Sequence, residues 1–338
     1  MENRRATRAE LAAATGLSKP TVSESVRRLA GVVVDTGERT TGRGRIGTYY
    51  GLPATTGCAL VVSIAPEGIV AEAVDVYGEV VARSQADVSR SPGAGAVARA
   101  LEHVAGQVAA RCDAPLRVAA VSAADPVDRG TGQLVELPDA PFLVGALDPP
   151  AVLAGLVDGP VTVDNDVNWA ARAEHGRAAN FVYVFLGEGV GAAVVSDGEV
   201  RRGHAGLAGE IAHLPTIGPG GVAMRFTDVF AALGLRRPGS TAIDVPALLT
   251  AAESDATDLA RAVCGVLAAA VALADPEVVL LGGPWGRHPA VLAAIAHEFA
   301  QAPRNVPVEA AAVDDEPALA GARATALRQL RDAIVAAA

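Results

Sequence analysis

Between residues 7 and 29 the apolar positions fall into two short helical patterns separated by a glycine, TRAELAAATGLSKPTVSESVRRL. Thr7 and Glu10 stand three apart ahead of the first run, the spacing at which each side chain caps the other's backbone N–H. Ala12, Gly16 and Val22 fall where a helix-turn-helix needs a small residue, a turn glycine and a β-branched core residue. Ser18 suits the N-cap of a second helix, whose Val22, Val26 and Leu29 recur at helical spacing and face inward. Lys19, Thr21, Ser23 and Arg27 are then left for a DNA groove, with the helix N-terminus near phosphate. The period next changes to that of a sheet. Val32–Thr36 and Ile46–Leu52 suit two strands, and GERTTGRGR between them a basic turn. Together they predict a wing whose Arg43 and Arg45 reach the sugar-phosphate backbone or a minor groove.

PATTG at residues 53–57 reads as a linker, which makes residues 1–53 a DNA-binding domain and 54–338 the body. Beyond the linker the pattern alternates. A three-stranded meander (59–64, 69–76, 79–84) precedes a helix at 94–111 and strands at 117–122 and 161–163. A helix to about 175, a hairpin (181–186 and 191–195), a helix at 258–274, a strand at 277–281 and a helix at 319–334 follow. Strand triplets followed by helices predict an α/β protein with mixed sheets.

Charge sharpens the division. Residues 1–53 hold nine Lys and Arg against five Asp and Glu, net +4, while the rest hold 19 against 33, net −14. A basic head on an acidic body confines a nucleic-acid contact to one end. Lys19 is the lone lysine. The longest uncharged apolar stretch, 262–274, is too short to span a bilayer and predicts a buried helix. No apolar run follows the opening arginines, so no signal peptide is expected. Cys58, Cys112 and Cys264 are far apart, with no pairable framework and no metal spacing, which fits a reduced cytoplasmic setting.

The chemistry-bearing residues lie in the body. Asn165 and Asp166 follow a strand and open a helix, a usual place for ligand groups in α/β folds. Glu210 and His213 are three apart, so a helical turn would present both on one face. Singly, Asp166 reads as a helix cap and His213 as a packing residue. As a set, two carboxylates, an amide and an imidazole suit the hydroxyls of a sugar.

DNDVN (164–168), GEGVG (187–191), RGHAGLAGEIAH (202–213) and LLGG (280–283) occur in the order seen in the ROK family. The chain resembles that family of sugar kinases and sugar-responsive repressors over nearly its whole length. The resemblance implies a winged helix-turn-helix before a two-lobed, actin-like (ribonuclease H-like) body. Lobe one is then about 54–163 plus the final helix, about 315–338, and lobe two about 164–314. Repressor relatives usually place another helix before the one starting at Thr7, so the first helix here is expected to be truncated.

In kinase relatives the aspartate at the place of Asp166 takes the proton from the attacking hydroxyl. The phosphate loops depart from the family. Its D-x-G-G-T becomes Ser63–Ile64–Ala65–Pro66–Glu67, where Pro66 removes a backbone donor and Glu67 repels phosphate. Glu188 replaces the threonine of G-T-G-x-G. The family's zinc would use the histidine matching His213 and three cysteines, and the segment after His213 has no cysteine, so neither zinc nor ATP is expected. The P-G-x-V-D turn appears as Ala124–Asp125–Pro126–Val127–Asp128, and Asp139 stands at a usual asparagine. Asp139, Asp166 and Glu210 disfavour a strongly anionic ligand.

The expectation is a repressor of operator DNA, a homodimer or higher homo-oligomer, with a catalytically inactive body that senses a sugar or related metabolite. A divergent hexose kinase with a DNA-binding head competes with it, as does a ligand-independent regulator.

Overall fold

The computed structural model describes residues 4–41, 46–89, 93–137, 142 and 144–337. The head opens with β1 (Ala6–Thr7), α1 (Arg8–Thr15) and α2 (Lys19–Arg28). The Thr7 hydroxyl accepts the Glu10 N–H at 3.2 Å, and the Thr7 N–H donates to the Glu10 carboxylate at 2.7 Å. Gly16, at φ +69°, ends α1 in the left-handed conformation that glycine adopts without strain. Ser18 caps α2 by accepting the Thr21 N–H, and Val22 and Val26 are buried.

The wing strands are β2 (Val34–Arg39) and β3 (Thr48–Gly51). Strand β2 starts later than the pattern predicts, because Val32 and Val33 turn back and donate to the Leu29 carbonyl. It then runs through Gly37–Arg39, expected to be turn. Strand β1 pairs with β3, Ala6 opposite Tyr50 and Thr7 opposite Tyr49, and puts β3 in the middle of the sheet. Two residues are too few to show a strand's period of two. Arg43 and Arg45 lie outside the described residues. The 53–57 linker carries a 3-10 turn, Ala54–Thr56.

The body begins with β4 (Cys58–Ala65), β5 (Gly68–Asp75) and β6 (Val80–Ala86), then α3 (Ala94–Ala110), β7 (Leu116–Ala123), α4 (Pro149–Leu153) and β8 (Val161–Asn165). Among the described residues these strands form a sheet of order β6-β5-β4-β7-β8, in which β7 and β8 run parallel to β4. Helix α5 (Asp166–Ala173) leads to β9 (Phe181–Leu186), β10 (Val190–Ser196), β11 (Glu199–Val200) and a hairpin of β12 (Pro215–Ile217) and β13 (Ala223–Arg225). Then come α6 (Phe226–Ala232), α7 (Val245–Ser254), α8 (Thr257–Ala274), β14 (Val278–Gly282), α9 (Pro289–Phe299), β15 (Val308–Ala310) and α10 (Pro317–Ala336). The second sheet has the order β11-β10-β9-β14-β15, with the same antiparallel-then-parallel pairing. The body is therefore two copies of one α/β layout, with the mixed sheets the sequence predicts.

Helix α8 is, among the described residues, the one long and apolar enough to cross a membrane. The uncharged stretch from 262 is its C-terminal part. Its Leu259, Val263, Val266, Leu267 and Val271 are buried in the second lobe's core. Cys58 and Cys112, unpaired by spacing, come close enough in the fold for their thiols to interact. Burial pushes the Cys58 thiol up to about 12, which keeps it protonated and inert.

Helix α10 crosses the outer face of the first sheet and packs on α5. At Gly321 a Cβ would sit 1.9 Å from the Trp169 carbonyl oxygen, and the Trp169 indole is itself pinned to the Val121 carbonyl at 3.0 Å. Gly-to-Ala in a free helix stabilises by about 1 kcal/mol. Here the clash with backbone reverses the sign, so Gly321→Ala should destabilise by about 1–3 kcal/mol in urea unfolding. An unchanged or higher midpoint would contradict this packing.

Candidate functional site

Asp166 opens α5 where β8 ends, beside the gap between the lobes. The residue before it carries the cap: the Asn165 amide oxygen accepts the Val167 N–H at 3.0 Å. Asp164, which the sequence does not single out, anchors the segment. Its buried carboxylate pairs with Arg172 at 2.7 Å and Arg202 at 3.1 Å and accepts from the Asn168 amide at 2.8 Å. Arg202 also donates to the Val163 carbonyl, so the 202–213 segment is tied to the end of β8. Nothing in the spacing marks this tie, since Arg202 is 38 positions from Asp164.

Glu210 and His213 do not share a helix face. Glu210 follows one turn and His213 lies in the next, not in the helical turn that their spacing predicts. Gly209, at φ +98°, lies so close to β10 that a Cβ would overlap the Ala192 carbonyl. Its own carbonyl accepts the Ala192 N–H at 2.9 Å. The chain hugs the strand edge there, and that backbone bond replaces helical bonding.

Even so, Asn165, Asp166, Glu210 and His213 all line one interlobe cavity of about 150 Å³. Phe142, Phe185, Phe230 and Ile243 supply apolar walls. Burial pushes Asp166 up to about 7, although part of it still faces the cavity. The nearby Glu210, Asp125 and Glu67 add to the rise, against the lowering effect of the Val167 N–H. Burial, with Asp125 nearby, likewise pushes Glu210 to about 7, and burial raises Asp125 to about 6. Asp139 lies outside the described residues.

On the head, Lys19, Thr21 and Arg27 are exposed and Ser23 half-buried. The Thr21 hydroxyl shares a 2.8 Å hydrogen bond with Ser18, and Arg27 pairs with Glu24. Ser23 and Arg27 line a groove between α2 and the wing, with Tyr50 and Asp35 opposite. Arg5 and Arg8, which the sequence does not single out, lie over the Tyr49 and Tyr50 rings at 4.6 and 4.9 Å. The β1–β3 pairing puts them there.

Residues 1–30 match the family described as winged helix-turn-helix DNA-binding, and residues 62–225 match the ROK family. Residues 62–225 are thus an ROK-family domain, behind a winged helix-turn-helix. The ROK transcriptional regulator homologous to the Escherichia coli MLC protein superposes with a TM-score of 0.67 at 19% identity, over 98% of this chain and 93% of that one. The likeness establishes the fold. A glucokinase from Halalkalibacterium halodurans is 43% identical over 67 residues, 18% of this chain and 20% of the relative. A xylose repressor from Caldicellulosiruptor bescii is 37% identical over 59 residues, 16% of this chain and 15% of the repressor. These matches therefore span a fifth or less of each relative.

In this ROK domain the segment at the place of the family's first phosphate loop is a two-residue hairpin. Ala65 pairs with Gly68, and Pro66 and Glu67 form the tip. Glu67 joins Asp166, Asp87 and Glu316 around a recess of about 440 Å³ next to the cavity. Glu188, in the second phosphate loop, is paired with Arg237 and is thus not a bare repelling charge. The loop is held by Trp285, whose indole donates to the Gly187 carbonyl at 2.9 Å. His213 has no cysteine near it in sequence, and among the described residues no three His, Cys, Asp or Glu come together as metal ligands. These residues do not fit tetrahedral zinc.

The raised carboxyls make stability fall as pH rises. A carboxyl at about 7 when folded, against about 4 unfolded, binds more protons in the native state between those values. Wild-type protein should lose melting temperature from pH 5 to pH 8, and Asp166→Asn should lose less. Parallel pH profiles of the two proteins would show that Asp166 ionises freely.

Proposed function

We propose that the chain is a DNA-binding transcriptional repressor whose ROK body senses a sugar or related small metabolite without transferring phosphate. The observation that carries the reading is a fully capped helix-turn-helix packed on a body whose first phosphate turn is Pro66–Glu67. Pro66 takes a donor N–H out of the turn, and Glu67 opposes an incoming phosphate. Neither ATP nor zinc is part of this reading.

Helix α10 supports a route from cavity to head. Pro317, Ala318 and Leu319 at its start line the recess that includes Asp166. Near its other end, Leu330 and Ile334 share an apolar cluster with Val32 and Leu52 of the head and Tyr77 of the body. The Tyr77 hydroxyl accepts the Leu52 N–H at 3.1 Å and lies within donating distance of the Leu52 and Arg4 carbonyls. Ligand binding that changes lobe closure would move α10 and, with it, the head. Release from DNA then requires tighter ligand binding to the DNA-incompetent state. A homodimer would place two heads on a palindromic operator.

A divergent sugar kinase is the second reading, and Asp166 favours it: a carboxyl at about 7 beside a cavity suits a general base. A coupled assay with ATP and a panel of hexoses separates the two. No turnover is expected, and turnover with any hexose would overturn the repressor reading. In operator-binding titrations, Arg27→Ala or Arg43→Ala should each flatten the log–log salt dependence by about one unit per lost phosphate contact. Unchanged binding would remove that arginine from the interface.

A further inference from the structure

The cavity that lines up Asn165, Asp166, Glu210 and His213 has no arginine or lysine in its described wall. One of its carboxyls, Glu188, is neutralised by Arg237 from outside the described wall. The other arginines around it are committed elsewhere. Arg172 and Arg202 hold Asp164, and Arg83, at the neighbouring recess, holds Glu72 and Glu316. No ion pair reaches Asp125, Asp166 or Glu210 among the described residues.

Asp125 stands just behind the wall, between Ala124 and Pro126, both of which line the cavity. It is only 2% exposed. One of its oxygens accepts the Val144 N–H at 2.9 Å, and the other has no hydrogen-bond partner among the described residues. A buried carboxylate oxygen left unpartnered costs free energy until something donates to it or neutralises it.

The acidic groups are spread around the cavity and do not converge as metal ligands, since no three of them form a metal-sized cluster among the described residues. A point cation would need that convergence. An extended organic molecule with one positive charge does not. The apolar walls, Phe142, Phe185 and Phe230, suit the carbon face of such a ligand.

We propose that the ligand carries a protonated amine, as a hexosamine does, with the ammonium group set among Asp166 and Glu210 and Asp125 behind them. This rests on the sensing function proposed above and narrows its ligand class. A neutral hexose would offer the carboxyls hydroxyl donors but no balancing charge, an N-acetyl group would replace the charge with an amide, and a sugar phosphate would be repelled.

Calorimetric titration of the full chain tests this, with glucosamine, mannosamine and galactosamine beside their parent hexoses, N-acetyl forms and 6-phosphates. At least one hexosamine should bind about 10- to 100-fold more tightly than its parent hexose, the range of a charge-assisted hydrogen bond. Asp125→Asn, which keeps an acceptor for Val144, and Glu210→Gln should each narrow that ratio to less than about tenfold. A hexose, N-acetyl sugar or sugar phosphate binding as tightly as the matching hexosamine overturns the amine and leaves the sensing function standing. An unaltered ratio in both variants also overturns the assignment. Binding of no compound in the panel overturns the amine and the sugar-sensing function together.

Discussion

Helix α10 is held to the first sheet by a carboxylate that has no contact with water. Glu72, on β5, is fully buried and receives both Arg83 from β6 and Arg323 from α10, while Glu316 bridges the same two arginines. Replacing such a group by apolar packing is often neutral, but removing one partner costs about 3–5 kcal/mol because a bare charge stays buried. The network therefore acts more on register than on net stability. With α10 set at one place along the sheet, Gly321 lies against the Trp169 carbonyl and α5 is fixed in turn. Asp166, the first residue of α5, takes its position from that chain of contacts. So does the surface on which the head rests.

The cavity follows a related electrostatic logic with the opposite result. Asp164, two residues before Asp166, is buried and balanced by two arginines. Asp166 itself is given none and is pushed up to about 7. Two neighbours in one short segment thus differ in environment: Asp164 is ion-paired to two guanidinium groups, whereas burial, with carboxyls nearby, raises Asp166. The acidic substitutions at the two phosphate loops differ in the same way. Glu67 lines an open recess, whereas Glu188 is tied to Arg237. Around this cleft the arginines Arg172, Arg202 and Arg237 are used to hold Asp164 and Glu188, and none lines the described wall of the cavity.

The elements most legible in the sequence were those with strong local signals. Thr7 and Glu10 form their capping box, Ser18 caps α2, and the apolar runs at 59–64, 181–186 and 258–274 became β4, β9 and α8 with ends shifted by a few residues at most. Strand β1 was not legible because two residues carry no period. Among site residues, Asn165, Asp166, Glu210 and His213 do meet at one cavity, as their order in the family's motifs implied. The geometry inferred for Glu210 and His213 was wrong: a spacing of three fits a helix, but the Gly209 contact with β10 keeps that segment in turns.

By itself, then, the sequence determined what depends on neighbours a few positions away: caps, turn glycines, amphipathic periods, the basic head and the acidic body. These signals act over one or two turns of chain, so the residue string contains both partners. Tertiary structure alone decided which charges are neutralised and which are not. Arg202 finds Asp164, Arg237 finds Glu188, Arg323 finds Glu72, and Asp125 keeps one oxygen unpartnered. Those outcomes depend on distance and burial between groups tens or hundreds of positions apart, where Coulomb interactions strengthen as water is excluded. The helix-turn-helix could be read from its own residues, but the cavity's charge could be known only from the fold.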